Sequence, residues 1–149
     1  MKIAVELIKK LREETGAPIV RVKEVLEAFD SNEKKALEVL KKEGFEKAEK
    51  RIDRETSQGK IFVYSHHTGK VVGIVELLCE TDFVAKNELF ETLGKDIAMQ
   101  VAGVSEEDLE KQEFIKDPTK TISDLVKEVI AKTGENVRIG RVIRVELGK

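Results

Sequence analysis

The sequence predicts an α+β fold, with an N-terminal three-helix bundle followed by a β-β-α-α-β unit whose three strands form one antiparallel sheet. Three observations lead to this prediction. Apolar residues recur at helical spacing through the first third of the chain. Two β-branched runs then flank a short polar turn, as in a hairpin. The C-terminal residues alternate between apolar and charged side chains, which is typical of a half-buried strand.

The first two helices are defined by their apolar stripes and by the residues that end them. The spacing predicts a helix over residues 2–14, which Gly16 ends because glycine readily adopts the left-handed conformation of a helix C-cap. Pro18 suits the first turn of a second helix that reaches about Phe29. The two apolar stripes comprise Ile3, Leu7, Ile8 and Leu11, and then Val22, Val25, Leu26 and Phe29.

A third helix is predicted from Asp30 or Ser31, either of which could cap it, to Gly44, with Ala36, Leu37 and Leu40 facing the core. The following residues are highly charged and are interpreted as a linker that is helical in part. The predicted organisation is therefore a bundle at 1–45, a charged linker at 46–58 and an α+β unit at 59–149.

The hairpin strands are predicted from the runs at 61–64 and 71–75, with His67, Thr68 and Gly69 between them. The second run continues through Leu78 and is apolar at nearly every position. Such a strand is expected to be covered on both faces or to lie at the centre of its sheet.

Two helices and a strand follow. A helix is predicted from Thr81, then a loop over 103–120, and then a helix with a capping box formed by Thr121 and Asp124. Gly134 is expected to end that second helix. The buried stripe of the first helix comprises Leu89, Phe90, Leu93, Ile97 and Val101, and one face of the last strand comprises Val137, Ile139, Ile143, Val145 and Leu147.

Composition restricts the classes of function. The 149 residues include 27 basic and 29 acidic ones, so no global positive field favours binding to nucleic acid. No apolar run approaches 18 residues and residues 1–15 lack a signal-peptide core, so we expect a cytoplasmic protein without membrane contact. The single cysteine, Cys79, excludes an internal disulfide and fits a reducing compartment.

Enzymatic interpretations are weak. Cys79 with His66 or His67 could form a thiol nucleophile, but a cysteine that ends an apolar strand is usually a core residue. A metal site of His66, His67 and Asp82 is disfavoured because adjacent residues of a strand point to opposite faces. The sequence has neither of the common phosphate-binding glycine motifs, so we expect no catalytic residue, no metal and no cofactor.

Two features suggest contacts with a partner. Ile19 and Val20 lie off the apolar stripe of the second helix and could form a surface patch rimmed by Arg12, although single exposed apolar residues are common. Thr81 is a good N-cap, and Asp82 suits the first turn of a helix. Helical spacing alone leaves Phe83 either in the core or protruding.

Four ordered motifs resemble those of the bacterial elongation factor Ts family. They are LREETGA at 11–17, GFEKA at 44–48, ELLCETDFVA at 76–85 and GENVR at 134–138. Where the family usually has a glycine, two methionines and a cysteine with lysines, residues 18–24 read PIVRVKE. Many relatives also have a second copy of the core half and a helical hairpin, which would be inserted near 103–113 here.

The resemblance implies a guanine nucleotide exchange factor for elongation factor Tu, with no covalent chemistry. It implies that the N-terminal bundle docks on the nucleotide-binding domain of Tu, through Arg12, Ile19, Val20 and Lys23. Phe83 would wedge between helices of Tu, while Asp82 would disturb its Mg²⁺ site. The residues implied at that turn are Thr81, Asp82, Phe83 and Val84. Short relatives tend to pair through the core unit, which implies a possible homodimer.

A different class of function stays open on the residues alone. The bundle resembles ubiquitin-associated domains, so the chain could be an adaptor that binds a helix or peptide, with the α+β unit as a dimerisation platform. That interpretation gives the turn at 81–84 no role.

Overall fold

The computed structural model describes residues 3–149, and its first three helices form the predicted bundle. They are α1 (Val5–Thr15), α2 (Ile19–Ala28) and α3 (Glu33–Lys50). Phe29 was expected in the buried stripe of α2 but lies just beyond its end and is 36% exposed. The bundle core consists of Ile8, Leu11, Val22, Val25, Leu26, Ala36 and Leu40.

The N-cap of α3 differs from the prediction. Asn32 caps the helix, and its side chain accepts a hydrogen bond from the backbone N–H of Lys35 at 3.1 Å. Asp30 and Ser31 have φ angles of 50° and 61°. These angles lie in the left-handed region, whereas an N-cap residue takes an extended conformation. Asp30 and Ser31 therefore form the turn that precedes the cap.

The second unit contains the predicted three-stranded antiparallel sheet, in which β2 (Val71–Cys79) lies between β1 (Gln58–Ser65) and β5 (Val137–Glu146). The central position of β2 confirms the interpretation of its long apolar run, and Val75, Leu77 and Cys79 on its inner face are fully buried. The elements of this unit are β1 (Gln58–Ser65), β2 (Val71–Cys79), α4 (Asp82–Ala85), α5 (Glu88–Gly103), β3 (Glu113–Phe114), β4 (Asp117–Thr121), α6 (Ile122–Thr133) and β5 (Val137–Glu146).

The predicted single apolar face of β5 is wrong. The pairing with β2 shifts register between Val75 and Leu77, which face Val142 and Ile139. An extra residue in one strand turns all later side chains to the opposite face. Val137 is therefore buried on the inner face, whereas Ile143, Val145 and Leu147 lie on the outer face and are 50%, 56% and 72% exposed.

The helix predicted from Thr81 is broken into α4 and α5. Asn87 caps α5 by accepting a hydrogen bond from the N–H of Leu89 at 2.8 Å. Leu89, expected in the core, is 39% exposed at this new helix start. The rest of the stripe is buried as predicted, at Phe90, Leu93, Ile97 and Val101.

The region predicted as a loop over 103–120 also contains a 3₁₀ turn (Leu109–Lys111) and the β3–β4 hairpin. The fully buried side chain of Gln100 holds this segment against α5. Its amide group donates to the carbonyl of Glu113 at 2.9 Å, and its oxygen accepts from the N–H of Ile115 at 3.0 Å.

The predicted boundaries of α6 are confirmed. Thr121 and Asp124 form a capping box, in which Thr121 N–H donates to Asp124 Oδ2 at 3.0 Å and Asp124 N–H donates to Thr121 Oγ1 at 3.1 Å. Gly134 ends the helix with a φ of 78°.

The junction between bundle and sheet corrects a further boundary. Gly44 does not end α3, which continues to Lys50 and buries Ala48 in the core of the second unit. A Cβ atom at Gly44 would lie 3.2 Å from the Cβ of Ala131, so this glycine permits close packing of α3 on α6. The division of the chain into 1–45, 46–58 and 59–149 stays a prediction.

Residues after α3 are hydrogen-bonded to the second unit. Arg51 donates to the carbonyl of Ile130 and Arg54 to that of Gly134, each at 3.3 Å. The side-chain amide of Asn136 donates to the carbonyls of Ile52 and Arg54 at 3.2 and 2.9 Å. The bundle is therefore held in a defined orientation over the C-terminal end of α6.

Candidate functional site

The segment 81–84, called the 81–84 turn below, projects an exposed acid and an exposed aromatic ring from the end of β2. Thr81 caps α4 by accepting a hydrogen bond from the N–H of Val84 at 3.4 Å. Val84 and Ala85 are buried and hold the turn on the core, whereas Phe83 is 89% exposed. A ring with this exposure lies outside the core and is accessible to a partner.

Asp82 lies in an ion pair on the surface of the turn. Its carboxylate is 2.9 Å from the ammonium group of Lys86, and the Asp82 side chain is 63% exposed. The hydrogen bond from Lys86 to Asp82 and the charge of that carboxylate raise the pKa of Lys86. Exposed pairs of this kind contribute little to stability, so either group can exchange its partner at low cost.

A carboxylate that the sequence analysis missed supports the turn. Glu135 accepts hydrogen bonds from the N–H of Thr81 at 2.9 Å and from its hydroxyl group at 2.6 Å. The Cys79 thiol donates to the Thr81 carbonyl at 3.1 Å. Glu135 belongs to the GENVR motif, but 54 positions separate it from Thr81, so only the motif marked it in advance.

The bundle presents a second surface, called the bundle patch, that consists of Arg12, Ile19, Val20 and Lys23. All four residues are exposed, with Ile19 at 43% and Val20 at 68%. Arg21, between them, contacts Glu43 of α3 through two hydrogen bonds, of 2.8 and 2.7 Å. This pair fixes α2 on α3 and leaves Ile19 and Val20 on the outside.

An open groove of about 380 Å³ runs between the bundle and α5. Arg12 and Lys9 line its bundle side, and Leu89 and Lys132 line the opposite side. Arg12 therefore faces the same groove as the start of α5. Helix α5 begins three residues after the end of α4, which belongs to the 81–84 turn.

The thiol nucleophile and the metal site considered for Cys79, Asp82 and the histidines are not assembled, because these residues lie far apart. His66 and His67 follow β1 at the hairpin end. Cys79 is the last residue of β2 and Asp82 lies just beyond it, so a strand of about 26 Å separates them from the histidines. Burial raises the pKa of Cys79 to about 11, and the nearby carboxylates add to that increase, so the thiol is protonated at neutral pH.

The geometry of the two histidines corrects one expectation. They lie beyond the end of the strand, and their ring centroids are 4.2 Å apart instead of pointing to opposite faces. Among residues 3–149, no three side chains of His, Cys, Asp or Glu come together as a metal site. Within the same residues, no helix combines the length and the apolar character needed to cross a membrane.

A third surface, called the outer sheet face, lies on the side of the sheet opposite the helices. The cross-strand row of Val63, Ile74 and Ile143 runs across it. Ile61 and Val63 of β1, which are 63% and 60% exposed, and Val145 of β5, at 56%, belong to the same face. The sheet therefore presents a row of adjacent apolar side chains on this face.

Comparisons with known proteins agree with one another. Residues 80–149 match the family model described as elongation factor TS. The chain is 38% identical to "Elongation factor Ts" of Leptospira biflexa over 196 aligned residues, which cover 99% of each chain. It is 38% identical to that of Maridesulfovibrio salexigens (100% of this chain and 96% of the relative) and 37% identical to that of Thermotoga maritima (100% and 98%).

The alignment lengths show one difference. An alignment over 196 positions with a chain of 149 residues leaves at least 47 positions of the Leptospira protein without a counterpart here. The similarity nevertheless extends over both ends of the chain. The chain belongs to the elongation factor Ts family.

Proposed function

We propose that this chain is a guanine nucleotide exchange factor for elongation factor Tu and acts in polypeptide elongation in the cytoplasm. The observation that carries the proposal is that Phe83 and Asp82 are exposed at the position of the family's TDFV motif. The turn that presents them is capped by Thr81 and anchored by buried residues. The family membership supports Tu as the partner.

The bundle patch and the 81–84 turn have separate tasks in this mechanism. The patch binds the nucleotide-binding domain of Tu and determines where the factor docks. Phe83 then inserts between helices of Tu, and burial of its ring stabilises the displaced arrangement by about 1.5–3 kcal/mol. Asp82 perturbs the side chains and waters around Mg²⁺, an ion that demands near-ideal octahedral ligation. Loss of the ion weakens the hold on GDP.

No covalent bond changes in this reaction, so the factor is not an enzyme in the usual sense. The factor and GDP bind Tu with negative coupling, and that coupling is reciprocal. GDP therefore weakens the binding of the factor as much as the factor weakens the binding of GDP. The excess of GTP over GDP gives the reaction its direction, and neither a cofactor nor nucleic acid nor a membrane takes part.

The proposal is tested by the release of fluorescent GDP from Tu at fixed Mg²⁺, with and without this protein. Strong acceleration that saturates with factor concentration supports exchange. Tight binding to Tu without acceleration would contradict it and would favour the adaptor class instead.

We expect Val20→Asp to weaken binding to Tu at least tenfold without unfolding the chain. Val20 is 68% exposed, so the charge stays hydrated in the free protein and loses water only at the interface. The dissociation constant and the thermal midpoint should be measured together. Ala28→Asp adds the same charge to the end of α2 and should bind normally. Unfolding of the Val20 variant, or its normal binding, would contradict the docking role.

We also propose that the outer sheet face pairs two copies of this chain. The apolar row of one copy would be buried against the same row of the second copy. Glu76 and Arg141 form an ion pair of 3.2 Å on this face, so their charges would be paired within each copy.

Sedimentation should therefore show a dimer, and Ile143→Glu should shift it to monomer because the row would contain an unpaired charge. Thr68→Glu, in the exposed hairpin turn, introduces the same charge away from the face and should leave the dimer intact. A monomeric wild-type protein would exclude this arrangement.

A further inference from the structure

The 81–84 turn depends on a residue from the far end of the chain. We propose that Glu135 is a positioning residue for nucleotide exchange, which holds Thr81 so that Phe83 and Asp82 keep one orientation. The inference rests on the proposed function, since it assigns Glu135 a part in that reaction. It begins from the two hydrogen bonds, of 2.9 and 2.6 Å, that the Glu135 carboxylate accepts from Thr81.

Glu135 determines how Thr81 caps α4. A hydroxyl group has one proton to donate and lone pairs with which to accept. The Thr81 proton is directed to Glu135, so a lone pair remains for the N–H of Val84 at 3.4 Å. The Thr81 carbonyl accepts from the Cys79 thiol at 3.1 Å and from the N–H of Ala85 at 3.2 Å. The N–H, hydroxyl and carbonyl groups of Thr81 therefore all have hydrogen-bond partners.

Such support matters because α4 has only four residues. A single helical turn is not stable on its own, and its position is set by its cap and by the residues packed beneath it. Val84 and Ala85 anchor the turn from below. Glu135 fixes it from the side, through bonds to a charged acceptor that are stronger than neutral ones.

The backbone around Glu135 is itself well held. Gly134, which precedes it, is the C-cap of α6, and the N–H of Asn136 donates to the carboxylate of Glu80. A Cβ atom at Gly16 would lie 2.7 Å from the Cα of Lys132, so the bundle touches the same end of α6. The C-terminal end of α6 therefore contacts the bundle, and the residues that follow it support the 81–84 turn.

The expected signature is a loss of rate with little loss of binding. Without Glu135 the side chain of Phe83 is still present to bury on Tu, but the turn samples more orientations, and misplacement by about 1 Å costs orders of magnitude in positioned reactions. We expect Glu135→Ala to lower the saturating rate of GDP release about tenfold, with less than about a threefold change in the half-saturating concentration.

Matched variants separate this role from general stability. Glu135→Gln keeps one carbonyl oxygen for the Thr81 N–H and should retain an intermediate rate. Thr81→Val removes the hydroxyl group and should resemble Glu135→Ala, whereas Thr81→Ser keeps that group and should release GDP faster than Thr81→Val. Because the two residues act through one contact, combining Glu135→Ala with Thr81→Val should cost less than the product of the single effects. The control is Glu128→Ala, which removes a carboxylate within α6 that pairs with Lys120 at 2.8 Å and does not contact Thr81.

Amide hydrogen exchange in the isolated chain tests the support without Tu. The N–H groups of Thr81, Val84 and Ala85 should exchange faster in Glu135→Ala than in wild type, while the amides of β2 stay protected. Unchanged exchange at these positions would overturn the inference even if GDP release is catalysed. Faster amide exchange with a wild-type rate of GDP release would also overturn it. Failure of the wild-type protein to accelerate release would instead overturn the proposed function.

Discussion

Replacing Phe83 by alanine is expected to slow catalysed GDP release roughly 30-fold, with a smaller loss in the affinity for elongation factor Tu. Truncating a central aromatic anchor of an interface typically costs about 2 kcal/mol or more, which corresponds to that factor. The ring is 89% exposed in the free chain, so its removal should leave the fold and the thermal midpoint unchanged. The full cost is thus expected at the step in which the ring enters Tu.

The rate at saturating factor and the dissociation constant must be measured on the same preparation. Ile115→Ala is a suitable control, because Ile115 is an apolar residue with 48% exposure in the turn between β3 and β4. It should change neither quantity. Equal losses in release and binding for Phe83→Ala would show that the ring contributes docking energy only, and the wedge mechanism would be wrong.

Local signals predicted much of the fold. The capping box of Thr121 and Asp124 and the left-handed Gly134 depend on neighbours within a few positions, so the sequence alone located both ends of α6. The hairpin and the central place of β2 followed from a run of β-branched residues in the same way. These elements agree with the structure because local preference and tertiary packing favour the same conformation.

The errors arise where distant contacts decide the outcome. Gly44 was interpreted as a helix stop, but α3 continues to Lys50, and the missing side chain lets Ala131, far along the chain, pack against the helix. Similarly, the extra residue in β5 reverses the faces of its second half, and alternation alone gives no sign of this bulge. Both features depend on partners that the local sequence does not contain.

The candidate site divides in the same way. The helical wheel placed Val20 off the core, and the cap preference of Thr81 located the start of α4. The wheel could not decide whether Phe83 was buried, since that depends on the break in the helix at Asn87. Nor could it pair Glu135 with Thr81, because that contact exists only once α6 and β2 are packed together.

A second large effect is expected for Gly73→Ala, at the closest approach of β2 and α5. A Cβ atom there would lie 2.3 Å from the carbonyl oxygen of Ala98 and 2.8 Å from the backbone nitrogen of Ala102. Both atoms belong to the helix backbone, which cannot rotate away as a side chain can. We expect the free energy of unfolding to fall by about 3 kcal/mol, at the upper end of overpacking costs.

Comparing the free energies of unfolding of Gly73→Ala and Gly103→Ala by chemical denaturation separates the steric conflict from the general effect of replacing a glycine. Gly103 ends α5, and the nearest atom to a Cβ there is a side-chain carbon of Ile115 at 3.4 Å. Alanine favours helix over glycine by about 1 kcal/mol, so this variant should be as stable as wild type or more stable. Equal stability of the two variants would show that α5 moves off the sheet at little cost.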